Sequence, residues 1–189
     1  MKVETNYLLI TYHTMERIKR SSLIITIATV SLLLLFNTAC EKYDKDIKGD
    51  VELYLLKEYN TNQSGAEILS SGIVLEDNPL VEYSDLMEYD SKEYTFTLSA
   101  SALESIGDLF GSAFAVTVDK EVIYTGYFWS ALSSAIVEWV IIDLTMGVRG
   151  DKVLVQLGYP WTMDDWDIPD KRNDRSILSV FARDGKLVD

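Results

Sequence analysis

Histidine and cysteine are almost missing from this chain of 189 residues: there is one of each, His13 and Cys40, and proline occurs only three times. From residue 41 onward neither histidine nor cysteine occurs. That stretch cannot build a Ser-His-Asp or Cys-His catalytic set, a histidine general base, or the imidazole and thiolate shells that hold zinc, copper and non-haem iron. No cofactor and no catalytic residue is expected, and the chain is read as a non-enzyme. Carboxylate chemistry, lysine-assisted nucleophiles, oxygen-ligated Ca²⁺ or Mg²⁺ and plain binding stay open. Positive charge is also scarce, with 17 basic residues against 30 acidic ones. Such a surface repels phosphate backbones and argues against nucleic acid as a partner.

Long apolar runs are rare as well. One exists, residues 23–36, and its fourteen residues fall short of the roughly twenty that a membrane-spanning helix needs. A short positive stretch precedes it (MERIKR, 15–20), and Asn37, Thr38 and Ala39 lead into Cys40. Positive start, short apolar centre and small residues at the cut make a secretory signal peptide over 1–39. Translation is expected to start at Met15, because residues 1–14 put Glu4 and a polar stretch ahead of that start. The segment before Cys40 holds four basic residues (Lys2, Arg17, Lys19, Arg20) and two acidic ones (Glu4, Glu16). The remainder keeps 13 basic and 28 acidic side chains, a net charge of −15.

The cut site resembles the lipobox of bacterial lipoproteins, in which lipid is placed on the cysteine and cleavage makes it the new N-terminus. Asn37 stands where a strict lipobox prefers Leu, and the relaxed form resembles that of Bacteroidetes-type lipoproteins. The resemblance implies palmitate-type acylation of Cys40 and a membrane as partner. It also implies residence in the cell envelope, as an outer-membrane lipoprotein on the periplasmic or the surface face. Each buried methylene of the lipid contributes about 0.8 kcal/mol, so two chains hold even an acidic protein firmly. The alternative is that Cys40 merely follows an ordinary cleavage site.

Residues 40–50 are charged and without hydrophobic period, and read as a lipidated tether. Residues 51–189 are of a size to bury one core and read as a single domain. Strands are expected at 51–59, 73–75, 94–98, 113–118, 121–125, 136–142 and 152–157. Residues 83–89 suit either a helical turn or a short strand. A helix is expected after Ser99 or Ser101, with Ala102, Leu103, Ile106, Leu109 and Phe110 on its apolar face and Gly111 at its end. A second helix should follow the Asp174 cap, burying Ile177, Leu178 and Phe181 before Gly185. The order gives an α+β domain: a mainly antiparallel sheet with one or two helices packed on one face.

Two clusters are candidates for function. Tyr124, Tyr127, Phe128, Trp129 and Trp139 offer flat apolar faces for sugar rings or peptides, and Tyr127, Trp129 and Trp139 are the candidate ligand-binding set. Packing within the sheet is the competing reading. Ser130, Ser133 and Ser134 follow, with Lys120 or Lys152 as the available base. Asp164, Asp165, Asp167, Asp170 and Asp174 cluster near the end, but Pro169 and Asp170 break the EF-hand template and Lys171, Arg172 and Arg175 can neutralise them. No metal site is expected there.

Several phrases occur together: VELYLL at 51–56, Pro79-Leu80 with YSDL at 83–86, FAVT at 114–117, IYTGYFW at 123–129, LGYP at 157–160 and KRND at 171–174. As a set they resemble small lipoproteins of Bacteroidetes-type bacteria. That likeness implies export and lipidation and supplies no catalytic or binding residue. Three functions remain open: a non-enzymatic binding or interaction domain with an envelope protein or glycan partner, a small carboxylate-dependent glycan hydrolase, and a structural subunit of an envelope assembly.

Radiolabelled palmitate should enter the wild-type protein in an exporting host. Cys40→Ser should abolish the label and leave an uncleaved precursor visible by mass spectrometry.

Overall fold

The computed structural model describes residues 43–188 except 45, 64, 65 and 164. The expected signal peptide, Cys40 and His13 lie outside the described residues. The charged lead-in up to residue 50 has no helix or strand among its described residues, and it is tied to the domain by hydrogen bonds. The Asp44 amide donates to Ser179 Oγ (3.0 Å). The Arg183 guanidinium donates to the carbonyls of Ile47 (3.2 Å) and Gly49 (2.9 Å) and pairs with Asp50 (3.1 Å).

The first strand, β1 (Val51–Glu58), alternates as its sequence suggests, with Val51 and Leu53 buried in the main core. It pairs antiparallel with the short β2 (Val74–Leu75) on one side and β5 (Ala113–Val118) on the other. A 3₁₀ turn, Tyr83–Asp85, runs directly into β3 (Leu86–Asp90), so both readings of that segment are realised. The antiparallel partner of β3 is β4 (Thr95–Leu98). The first helix, α1 (Ala100–Ile106), is capped by Ser99, whose Oγ accepts from the Ala102 amide at 3.2 Å.

This helix ends at Gly107, not at Gly111. Gly in a helix interior costs about 1 kcal/mol, so the helix stops at Gly107 although the apolar spacing continues past it. Phe110, expected on the buried face, is 56% exposed as a result.

The hairpin of β5 and β6 (Glu121–Trp129) turns at Asp119 and Lys120, both left-handed (φ 51° and 65°). That is the type I′ geometry, which matches the strand twist without any glycine. The next strand, β7 (Val137–Asp143), is parallel to β6 in register Tyr127↔Ile141 to Trp129↔Asp143. Two-residue β8 (Val148–Arg149) pairs with β9 (Lys152–Tyr159). Strand β9 itself lies antiparallel between β4 and β7. The second helix, α2 (Arg175–Arg183), is capped by Asp174 as expected, and β10 (Leu187–Val188) closes the chain parallel to β3.

The domain is α+β, but the ten-stranded sheet is mixed rather than antiparallel throughout, in the order β10-β3-β4-β9-β7-β6-β5-β1-β2. Two parallel pairings, β6 with β7 and β10 with β3, are responsible. The first is unusual because its crossover is only residues 130–136, where parallel pairs ordinarily need a dozen or more. Trp129 lies level with Asp143, so the chain must return about 20 Å to begin β7. Eight residue steps supply at most about 29 Å, which leaves room for one turn and no helix.

Strand alternation divides the apolar side chains between two faces. The inner face carries Leu53, Phe114, Val116, Phe128, Val140, Ile142 and Val155, and both helices contribute to that same core through Ala102, Ile106, Ile177, Val180 and Phe181. The Phe181 ring packs on Tyr89 (5.4 Å between centroids) and Phe96 (6.0 Å). The outer face carries Ala113, Tyr127, Val137 and Ile141, covered by Ile68 from the connection between β1 and β2. Strand β5 is thus buried on both faces along its whole length.

Gly126 is packed tightly between the Phe114 ring and the β7 backbone. A Cβ there would lie 2.6 Å from the Phe114 ring and 2.7 Å from the Val140 carbonyl oxygen. Gly126→Ala should therefore lower stability by about 1–3 kcal/mol, as overpacking does, read from a urea midpoint at unchanged slope.

Candidate functional site

Tyr127 and Trp129 are two apart on β6, and Trp139 is on β7, so pleat alternation puts all three on the outer face. The remaining aromatics of the sequence cluster, Tyr124 and Phe128, belong to the inner core. The three outer rings do not form one site. Tyr127 and Trp129 line a hollow of about 310 Å³ together with Tyr59, Gly111, Ile136 and Val137. Trp139 lines a neighbouring cleft.

In the first hollow the rings are already partly spent on packing. Tyr127 is 9% exposed and sits in the outer apolar cluster. Tyr59 meets it edge-on (6.3 Å between centroids), and Phe110 lies against Trp129 at 5.2 Å. Burial, and next the neighbouring Tyr59, pushes the Tyr127 hydroxyl up to about 12, so it stays a neutral donor. The Trp129 ring is half-buried, and its Nε1 is buried with no hydrogen-bond partner among the described residues. Buried donors are ordinarily satisfied, and this one is closed to water. Trp139 Nε1, by contrast, donates to Thr125 Oγ1 at 3.2 Å.

Ile136 in the lining of this hollow and Phe110 against Trp129 are exposed apolar side chains. Leu132 is 87% exposed, and Ile136, Met146 and Phe110 are also well exposed. The loops bearing Leu132 and Met146 are held by one buried carboxylate. Asp143 Oδ1 accepts from the amides of Ala131 (3.1 Å), Thr145 (2.8 Å) and Met146 (3.2 Å). Asp143 and Tyr59 were not picked out by sequence reasoning. An Asp followed by Thr and, four positions on, by Gly147 is the available signal for an Asp-anchored turn.

The serines after β6 shape this turn. Ser130 Oγ bonds Thr145 Oγ1 at 2.7 Å and accepts from the Leu132 amide, and Ser133 Oγ accepts from the Ala135 amide. Neither lysine considered as their base comes near: Lys120 sits in the turn at the far end of β6, and Lys152 faces Glu88 at 3.9 Å. Of the acidic cluster, Asp170 is clasped by Arg172 through two bonds (2.9 and 2.7 Å), which hold its carboxyl below the usual range. The same guanidinium stacks on Tyr94. Asp174 caps α2. Among the described residues no three potential ligands gather to hold a metal ion, and no helix is long and apolar enough to cross a membrane. Asp164 lies outside the described residues.

Replacing Asp143 by Ala removes a charged acceptor from three amides. Stability should fall by about 1.5–3 kcal/mol, and hydrogen exchange should quicken first at the amides of Ala131, Thr145 and Met146.

No family model matches this chain, and no match was found among curated proteins or solved structures.

Proposed function

We propose that this protein is an exported envelope lipoprotein, anchored at the outer membrane through Cys40, whose domain binds a sugar ring in the hollow of Tyr59, Tyr127 and Trp129. The single observation behind the ligand is the set of three aromatic side chains, Tyr59, Tyr127 and Trp129, lining one hollow. A ring with one apolar face and peripheral hydroxyls suits stacking on such walls. Binding rather than hydrolysis is favoured because glycoside cleavage needs two carboxylates across one cleft. Among the described residues the first hollow is lined by no carboxylate, and the neighbouring cleft by Glu67 alone.

A second reading, an interaction subunit of an envelope assembly, draws on the exposed apolar side chains Phe110, Leu132, Ile136 and Met146. Apolar side chains gathered at loop tips suit a protein partner. Co-purification from membranes of the wild type, but not of a Leu132→Asp, Met146→Asp double variant, would favour it over the glycan.

Titration with a panel of mono- and oligosaccharides, followed by calorimetry, tests the first reading. Trp129→Ala should weaken binding at least tenfold, about 1.4 kcal/mol, and Trp129→Phe, which keeps a flat ring, should lose less. Equal affinity of both variants and the wild type would rule this hollow out.

A further inference from the structure

The charged lead-in is fixed along one side of α2. The Asp44 amide donates to the hydroxyl of Ser179, a residue only 1% exposed. One helical turn further on, Arg183 holds the carbonyls of Ile47 and Gly49 and the Asp50 carboxylate. Between these two clamps the Asp46 amide closes a turn on Asp44 Oδ1 (3.0 Å), and Ile47 packs against the main core. The strip then presses on the turn between β5 and β6. The Asp119 amide donates to the Asp50 carbonyl (3.1 Å), and a Cβ on Gly49 would lie 2.4 Å from that of Asp119. A stretch read from sequence as a tether is thus, in its described part, built into the fold.

Little chain is left to act as a leash. Cys40 and Asp44 are four residue steps apart, which span at most about 14 Å. A lipid on Cys40 therefore enters a bilayer within that reach of the middle of α2. Charge is distributed to match. Segments 41–50 and 171–186, brought together by the clamps, hold eight of the 13 basic residues beyond Cys40 and only six of the 28 acidic ones, a net charge of +2. The rest of the domain carries −17. Lys48, Lys171 and Arg175 are exposed in this zone. An anionic headgroup layer attracts basic side chains and repels acidic ones within about 10 Å, so this side approaches it at the least electrostatic cost.

We infer that the lead-in is a strap that mounts the domain on an anionic lipid surface with the α2 side down. This rests on the lipid anchor proposed for Cys40. Helix α2 packs on the inner face of the sheet, so the outer face with its aromatic hollow points away from the lipid. Leu132, 87% exposed, follows β6 at the end away from the Asp119 turn. The nine residues of β6 put that end about 30 Å from the strap.

The acylated protein, purified from membranes and placed in vesicles of phosphatidylethanolamine and phosphatidylglycerol, tests this. Acylation leaves no free thiol, so Ala182→Cys and Leu132→Cys each take a single fluorescent label. Nitroxide-bearing lipids should quench the label at 182 several-fold more than the label at 132. A flexible Gly-Ser insert between Lys42 and Tyr43 leaves the strap in place and should remove most of that difference by lengthening the leash. Lys171→Glu combined with Arg175→Glu should also reduce it, at an unchanged melting temperature. Arg183→Ala should quicken hydrogen exchange first at the Asp44 and Asp46 amides. Equal quenching at the two sites of the wild type overturns the inference, and so does a difference that survives both the insert and the charge reversal. Vesicles that fail to carry the protein on flotation bring down the lipid anchor and the mounting with it. Protein that floats with both labels quenched alike refutes the mounting alone.

Discussion

The short return from Trp129 to Val137 is the constraint on which the outer half of the molecule depends. A parallel neighbour normally arrives by a long crossover, often a helix lying across the sheet. Here residues 130–136 make one turn and run back, and they deliver β7 in register with β6 for three residue pairs only. A longer connection could have carried a helix over the outer face and sealed it. A two-residue hairpin would have made β7 antiparallel and kept the ladder continuous. The intermediate length does neither. It leaves the outer aromatic side chains of β6 beneath loops rather than beneath a packed helix, and the ladder with β7 stops at Tyr127.

The inner face shows what a sealed layer looks like in the same sheet. Both helices bury side chains there, and the rings of Tyr89, Phe96 and Phe181 stack within it. The Tyr89 hydroxyl reaches the Arg172 carbonyl (2.9 Å) and Asn173 Oδ1 (3.0 Å), so even a fully buried phenol is satisfied. Lys186 is similarly placed, donating to the carbonyls of Tyr83 and Leu86 while lying over the Tyr83 ring. The larger of the two apolar clusters lies on this side, and the smaller one on the outer face.

Local signals were legible in the sequence, and non-local ones were not. The hairpin at Asp119-Lys120 and the Asp174-capped helix appear where alternation, capping and the 3.6 period put them, because each is decided by neighbours in the chain. The parallel pairing of β6 with β7 is decided by a crossover whose direction no local pattern records. Strands β8 and β10 are two residues long and carry no period. Position Gly107 ended a helix whose apolar spacing continued past it. Parity along β6 was enough to group Tyr127 with Trp129 and to separate them from Tyr124 and Phe128. It could not foresee that loop residues such as Tyr59 would complete one hollow, or that Trp139 would turn to the other.

Two buried side-chain polar atoms among the described residues find no hydrogen-bond partner, the Tyr124 hydroxyl and Trp129 Nε1. Both belong to β6, five residues apart and on opposite faces, and each residue lines one of the two hollows. Leaving such a group unpaired costs about 1–3 kcal/mol, and a phenylalanine at either position would remove that cost while keeping the ring. A strand shaped only by packing has no use for these two atoms. Both atoms are closed to water, so an outside partner reaches either one only after neighbouring side chains move.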